Sequence, residues 1–264
     1  MRRRSAVLLV SGVLAVCGIL LPSIQKTSSH GATKILKVVV NGGHPIVLGG
    51  ATESAAFTYS ITAEDPSGIK SVDQIGLWGS NYGILKPSEA VCTATSKTES
   101  VCTGTSSVDA SKRQIFDDMA GHWFLQATVH ANDGDAREED KAGRFSIIKF
   151  GYASLYGVLP TAAKGEAFTV GGQLQKADWK SGQLVPNPGQ KVDLQFCATG
   201  CKKPVTVAVV KSDPEGELAA TVHAETTGTY LWAYPGAYWA APASSFPEQV
   251  AVTAGLPQQP QPGS

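Results

Sequence analysis

The chain has 264 residues, with 22 basic and 22 acidic side chains and 42% hydrophobic residues, enough for two domains of ordinary size. Arg2, Arg3, Arg4 and Lys26 all precede position 32 and every acidic residue follows it, so 22 minus four leaves 18 basic against 22 acidic side chains beyond that point. A chain balanced in that way has no basic surface to neutralise a row of phosphates, which excludes nucleic acid as a partner class.

Residues 1–31 have the three parts of a signal peptide: a charged start, an apolar stretch from Ala6 to Leu21, and a short polar segment. Ser29 and Gly31 supply the small residues a signal peptidase favours and place the mature start near Ala32. The apolar stretch is shorter than the roughly 20 residues that cross a bilayer, so no stable membrane span is expected once the leader is gone. Cys17 reads as filler within that stretch. Cleavage, lipidation at Cys17 and retention as an anchor all stay open. Export puts the protein outside the cell or on its wall.

From there the hydrophobic period is two. Phe57, Tyr59, Ile61 and Ala63 alternate with Thr58, Ser60 and Thr62, and Trp123, Leu125, Ala127 and Val129 do the same further on. Between them Cys92 and Cys102 flank a polar stretch and read as a hairpin disulfide formed after export. Asp109 to Met119 has room for one helical turn. Phe145 and Ile147 alternate, and Ile148 beside them implies that both faces of their strand are partly covered. A break follows near Phe150-Gly151-Tyr152.

The second half repeats the pattern: Val192, Leu194 and Phe196; Val205, Val207 and Val209 in step with them; Leu218, Ala220 and Val222; Tyr230 and Trp232; Val250 and Val252. Cys197 and Cys201 flank only three residues and read as a second local disulfide across a strand end. Turn clusters at 65–68, 132–135, 186–189 and 213–216 separate the strands. The spacing and the absence of crossover helices predict an all-β chain: two tandem immunoglobulin-like antiparallel β-sandwich domains, over 32–150 and 151–254. Residues 255–264 read as a disordered Pro/Gln-rich tail.

Gly172, Leu174, Ala177, Asp178 and Trp179, then Gly189, Gln190, Val192, Leu194, Gln195 and Phe196, then Gly216 and Leu218, form an ordered set of motifs. The second half on these residues resembles the Ig-like module of tandem secreted proteins of actinobacteria. The first half resembles the partner domain that precedes it there, through the Asp65–Ile69 turn, the two-cysteine hairpin and Ala120, Gly121 and Trp123. The resemblance implies the fold and an exported protein, but no chemistry, because the family's function is unassigned. The family's Arg in the closing aromatic strand is missing from Tyr230-Leu231-Trp232-Ala233-Tyr234-Pro235-Gly236.

Two groups of residues stand out as candidate sites. Glu64 and Asp65 lie on one loop, and Asp133, Asp135 and Asp140 on and after another; carboxylates converging from two loops suit Ca2+, a hard cation that takes oxygen ligands. Solvated turns use the same residue types. Tyr234, Tyr238 and Trp239 crowd around a Pro-Gly turn and form a candidate binding patch for a sugar face or a protein. Tyr230, Trp232, Trp78 and Trp123 read as core, and Trp179 as a cover for a sheet edge near the domain junction. His44, His122, His130 and His223 contain no i, i+4 metal pair, and the chain has no nucleophile elbow and no phosphate loop. The expectation is a non-catalytic binding or adhesion module of the envelope, with no catalytic residue and an unknown protein or polysaccharide as partner. A structural spacer, a calcium-binding module and a hydrolase with a dispersed site are the alternatives.

Overall fold

The computed structural model describes residues 27–50 and 52–254. The charged and apolar parts of the expected leader, Cys17 included, and the Pro/Gln-rich tail lie outside the described residues. The N-terminal half contains β1 (Thr27–His30), β2 (Lys34–Val40), β3 (Ile46–Leu48), β4 (Ser54–Glu64), β5 (Ile69–Gly79), β6 (Ile84–Leu85), β7 (Val91–Ala94), β8 (Glu99–Asp109), β9 (Gly121–Ala131) and β10 (Ala136–Lys149). The C-terminal half contains β11 (Gly151–Tyr156), β12 (Thr161–Ala163), β13 (Ala167–Asp178), β14 (Gln183–Pro186), β15 (Lys191–Ala198), β16 (Val205–Lys211), β17 (Glu217–His223), β18 (Gly228–Tyr234), β19 (Ala243–Ser244) and β20 (Glu248–Thr253).

In the N-terminal half, a sheet ordered β1-β10-β9-β5-β6, with β3 beside β10, packs on a sheet ordered β2-β4-β8-β7. In the C-terminal half, β11-β13-β14, with β17 also on β13, packs on β12-β20-β18-β15-β16, where β19 joins β18. The chain is therefore all-β with immunoglobulin-like sandwich architecture. Nearly all pairings are antiparallel; β3 on β10 and β12 on β20 are parallel.

Alternation decides the core. Tyr59, Ile61, Trp123, Leu125, Val129 and Ile147 point between the first two sheets, and Val170, Leu174, Leu194, Trp232 and Val250 between the second two. Side chains of this size contribute about 1.5–3 kcal/mol each when fully buried. Ile148 is buried as well, so the C-terminal end of β10 is covered on both faces. Cys92 and Cys102 are register partners on β7 and β8, and their disulfide crosses that hairpin. The Cys197–Cys201 disulfide closes the turn between β15 and β16. Within Asp109–Met119, where a helical turn was expected, a 3-10 turn occupies Asp117–Met119.

Three findings differ from the sequence reading. Thr27–His30, inside the expected leader, forms β1 and pairs with Ala136–Glu139, so these residues complete a sheet edge instead of standing apart from the fold. Val205, Val207 and Val209 are all exposed, and a bulge at Val207 breaks their expected alternation: Val205 pairs with Phe196 and Val209 with Asp193, on opposite faces of the sheet. β16 ends its sheet, and its inward positions are Ala208 and Val210. Finally, the two halves meet at a one-residue link, Phe150, yet Ala177 and Trp179 from the end of β13 pack into the N-terminal core.

Candidate functional site

The acidic loops converge at one end of the N-terminal sandwich. Asp65 follows β4, Asp133 and Asp135 lie in the β9–β10 turn, and their carboxylate oxygens approach within 4.8 Å of one another. The turn forms there because Asn132 donates from its backbone to the Gly68 carbonyl and from its side chain to the Ser67 carbonyl. Asp65 is only 1% exposed. One of its oxygens accepts from the Thr33 hydroxyl at 2.9 Å, and the other from the Ser67 amide and hydroxyl at 2.8 and 2.7 Å. Burial works to raise its pKa, but the Ser67 and Thr33 donors together outweigh it and hold the carboxyl below its ordinary value. Asp133 accepts from the Asp135 amide, and Asp135 accepts from the Ala32 amide at 2.7 Å.

The other two expected calcium ligands are elsewhere. Glu64 pairs with Lys34 across β2 and β4 at 3.0 Å, an exposed ladder pair. Asp140 sits in the bulge of β10 between Glu139 and Gly143, where its carbonyl accepts from the Trp78 indole. The bulge lifts it out of register with the turn. Asp65, Asp133 and Asp135 therefore form the compact group, and each carboxylate already orders its own loop.

The aromatic patch divides in the same way. Tyr234 is 3% exposed and its hydroxyl reaches Gln190, so this residue, expected in the patch, belongs to the C-terminal core. It alternates in phase with Tyr230 and Trp232 on β18, and phase fixes the face. Tyr238 lies beyond the Pro235-Gly236 turn and is 66% exposed. Its ring stands 5.6 Å from that of His122 on β9, which places a C-terminal loop against the N-terminal sandwich. Burial, helped by Arg144, lowers the His122 pKa and favours the neutral ring. Trp239 is partly covered, with the Lys176 ammonium 4.9 Å over its ring.

Tyr238 and Trp239 thus line a groove of about 240 Å³ at the junction, together with Asp117, Asp118, Lys149 and Lys176. Lys149 is buried there and forms an ion pair with Asp117. Asp117 also accepts from the Trp179 amide, and the Trp179 indole donates to the Leu48 carbonyl at 3.0 Å. Asp178, beside them, is held below the ordinary carboxylate range chiefly by the Ser181 amide. Burial and the Lys149 charge lower the Lys176 pKa, against the opposing pull of Asp117 and Asp178. Two carboxylates and two ammonium groups leave the groove near neutral. Sequence reasoning missed Asp117, Asp118, Lys149 and Lys176: they come from three separate segments and carry no shared motif.

No family model matches the chain, and no curated protein matches it either. Among solved structures, it is similar to the fibronectin(III)-like modules of Clostridium thermocellum CbhA, at 12% identity over 86% of this chain and 100% of that one, with a TM-score of 0.36. It is similar to a DUF4785 family protein of Legionella pneumophila at 14% identity, over 74% of this chain and 51% of that one, TM-score 0.35. Three N-terminal domains of the bacteriophage RB49 outer capsid protein Hoc match at 10% identity, over 84% and 70%, TM-score 0.33.

Proposed function

We propose that this protein is a non-catalytic binding module of the cell exterior, and that it holds a polysaccharide of the envelope in the groove between its two halves. The observation that carries the reading is Tyr238: a ring 66% exposed, yet fixed in place against His122. A large ring left in water at the mouth of a groove offers a stacking face for a pyranose ring. Asp117, Asp118 and Lys176 around it are acceptors and donors suited to hydroxyl groups. The cancelling charges favour an uncharged polyol over an anion. Two disulfides in hairpins agree with an oxidising compartment, and the expected leader agrees with export.

Co-sedimentation of the protein, with β1 intact, together with insoluble envelope polysaccharide tests the proposal. Tyr238→Ala should weaken retention by about tenfold or more, the scale of an aromatic hot spot, while lowering the melting temperature only slightly, since the contact with His122 is lost but most of the ring faces water. Retention that is absent, or that survives Tyr238→Ala, defeats the reading. A second reading, a rigid envelope spacer, is favoured by the bonded junction; native protein that fractionates with the wall yet binds no glycan would support it.

A further inference from the structure

The N-terminal sandwich has a pocket that shares no lining residue with the groove at Tyr238. β2 belongs to one sheet and β10 to the other, and their edges meet at Gly143, where a Cβ would run into the Val38 side chain. Beyond that contact the chain turns through Asn41, Gly42 and Gly43 and rejoins β10 as β3, with Ile46 in register with Ile147. These three residues stand at φ 51°, 62° and 87°, and the Asn41 side chain closes the turn by donating to the His44 and Pro45 carbonyls. Between the two contacts, residues 144–146 of β10 have no ladder partner on that side among the described residues. A pocket of about 320 Å³ opens there.

Its charge is one-sided. Arg144, His44 and His122 line it, and among the described residues no Asp or Glu does. His122 on β9 pairs with Ser146, so Arg144, two positions along β10, is its diagonal neighbour on the same outer face. Arg144 is exposed and has no ion-pair partner among the described residues. The His122 Nδ1 is shut off from water and bonded to nothing among the described residues, and burial together with the Arg144 charge favours the neutral ring. An orphaned buried N–H is rarer than an orphaned acceptor, so the single proton belongs on Nε2 and makes that nitrogen a donor. Val38, Val40 and Phe145 add apolar surface.

A fixed cation, a neutral donor and an apolar wall, with no acid to compete, select a ligand that carries negative charge and hydrocarbon together. We propose that this pocket binds a small carboxylate with a short apolar chain. The Arg144 guanidinium takes both carboxylate oxygens, the His122 Nε2–H donates to one of them, and the chain lies against Val38, Val40 and Phe145. The planar fork of arginine matches a carboxylate in two parallel bonds, whereas inorganic phosphate would offer nothing to the apolar wall. The volume is at the lower end of pockets that hold small molecules. The inference goes beyond glycan binding in the groove and does not depend on it.

Titration of the whole protein with isovalerate, its amide isovaleramide and inorganic phosphate, followed by NMR, tests it. Isovalerate should bind at about 1 mM or tighter, a range open to a ligand of this size, and move the signals of the His122 ring and the amides of 144–146. Isovaleramide has the same shape without the charge; it and phosphate should each bind at least about tenfold more weakly. Arg144→Gln should cost isovalerate about tenfold in affinity, leave isovaleramide unchanged and hardly move the melting temperature, because the side chain is exposed. Equal affinity for the acid and the amide, or tighter binding of phosphate, overturns the proposal. So does isovalerate binding that survives Arg144→Gln, that moves only signals of the Tyr238 groove, or that is absent at about 10 mM.

Discussion

Asp65 takes three hydrogen bonds from two residues while almost wholly shielded from water. A buried carboxylate is costly unless donors surround it, and here they do more than compensate, so its pKa lies below the ordinary value. A carboxyl depressed on folding adds stability that is present above the unfolded pKa, about 3.9, and is lost as pH falls through the folded pKa. Asp65→Asn keeps the shape but gives up the charge-assisted bonds, and should cost about 2 kcal/mol at neutral pH. That deficit should shrink as the pH falls below the unfolded pKa, about 3.9, toward the lower folded pKa of Asp65. Urea unfolding at pH 7 and pH 3 checks this; a deficit that stays constant would show that the charge is irrelevant. The acidic loops were legible as a group because Asn, Asp and Gly mark tight turns. Which carboxylates meet was not legible: the bulge that removes Asp140 comes from pairing between strands, where Glu139 and Gly143 are both in register with β9 but the residues between them are not.

At the scale of strands, period-two alternation identified the pairs that share a face but not the face that is inside. Phe57 to Ala63 and Trp123 to Val129 were read correctly because both lie mid-sheet, where one face must meet the opposite layer. Val205, Val207 and Val209 alternate just as cleanly in the sequence, but the edge position of β16 and a bulge at Val207 leave all three exposed, because neither strand order nor a bulge is written locally. Tyr234 and Tyr238 fall on opposite sides of one turn, so only Pro235, Gly236 and Ala237 separate a core ring from an exposed one. The disulfides belong to this scale too. A cross-link restrains the unfolded chain more when its loop is longer, and the separations are 10 and 4 residues. On the chain-entropy account, these amount to about 3 and about 2 kcal/mol. Replacing Cys92 and Cys102 together by Ser should therefore lower the stability to urea more than the same change at Cys197 and Cys201. The reverse order would mean that the short bridge acts on the native turn between β15 and β16 more than on the unfolded chain.

Across the molecule, a link of one residue is what two independent beads would have, but the bonds at the junction argue for one body. Phe150 donates to Leu48 and accepts from Ala177, while Lys149 donates to Trp239 and accepts from Ala241, so the ladder continues from one sandwich into the other. Trp179 anchors the join: a residue of the second half, 5% exposed, packed in the core of the first and hydrogen-bonded to Leu48, 131 positions earlier. The sequence placed Trp179 near the junction, but a partner so distant in sequence lies beyond any local pattern. Removing this ring leaves a cavity in the N-terminal core and takes a donor from the buried Leu48 carbonyl. Trp179→Ala should cost about 3–5 kcal/mol, and the loss should fall on the N-terminal half and the junction. Calorimetry of the native protein should then give a single transition, and that of Trp179→Ala two, with the N-terminal half melting first. Because the groove is built from residues of both halves, the same variant should lose retention on polysaccharide at temperatures where both sandwiches are still folded. If it melts in two steps yet still binds, Tyr238 alone makes the seat and the junction serves only to hold the halves together.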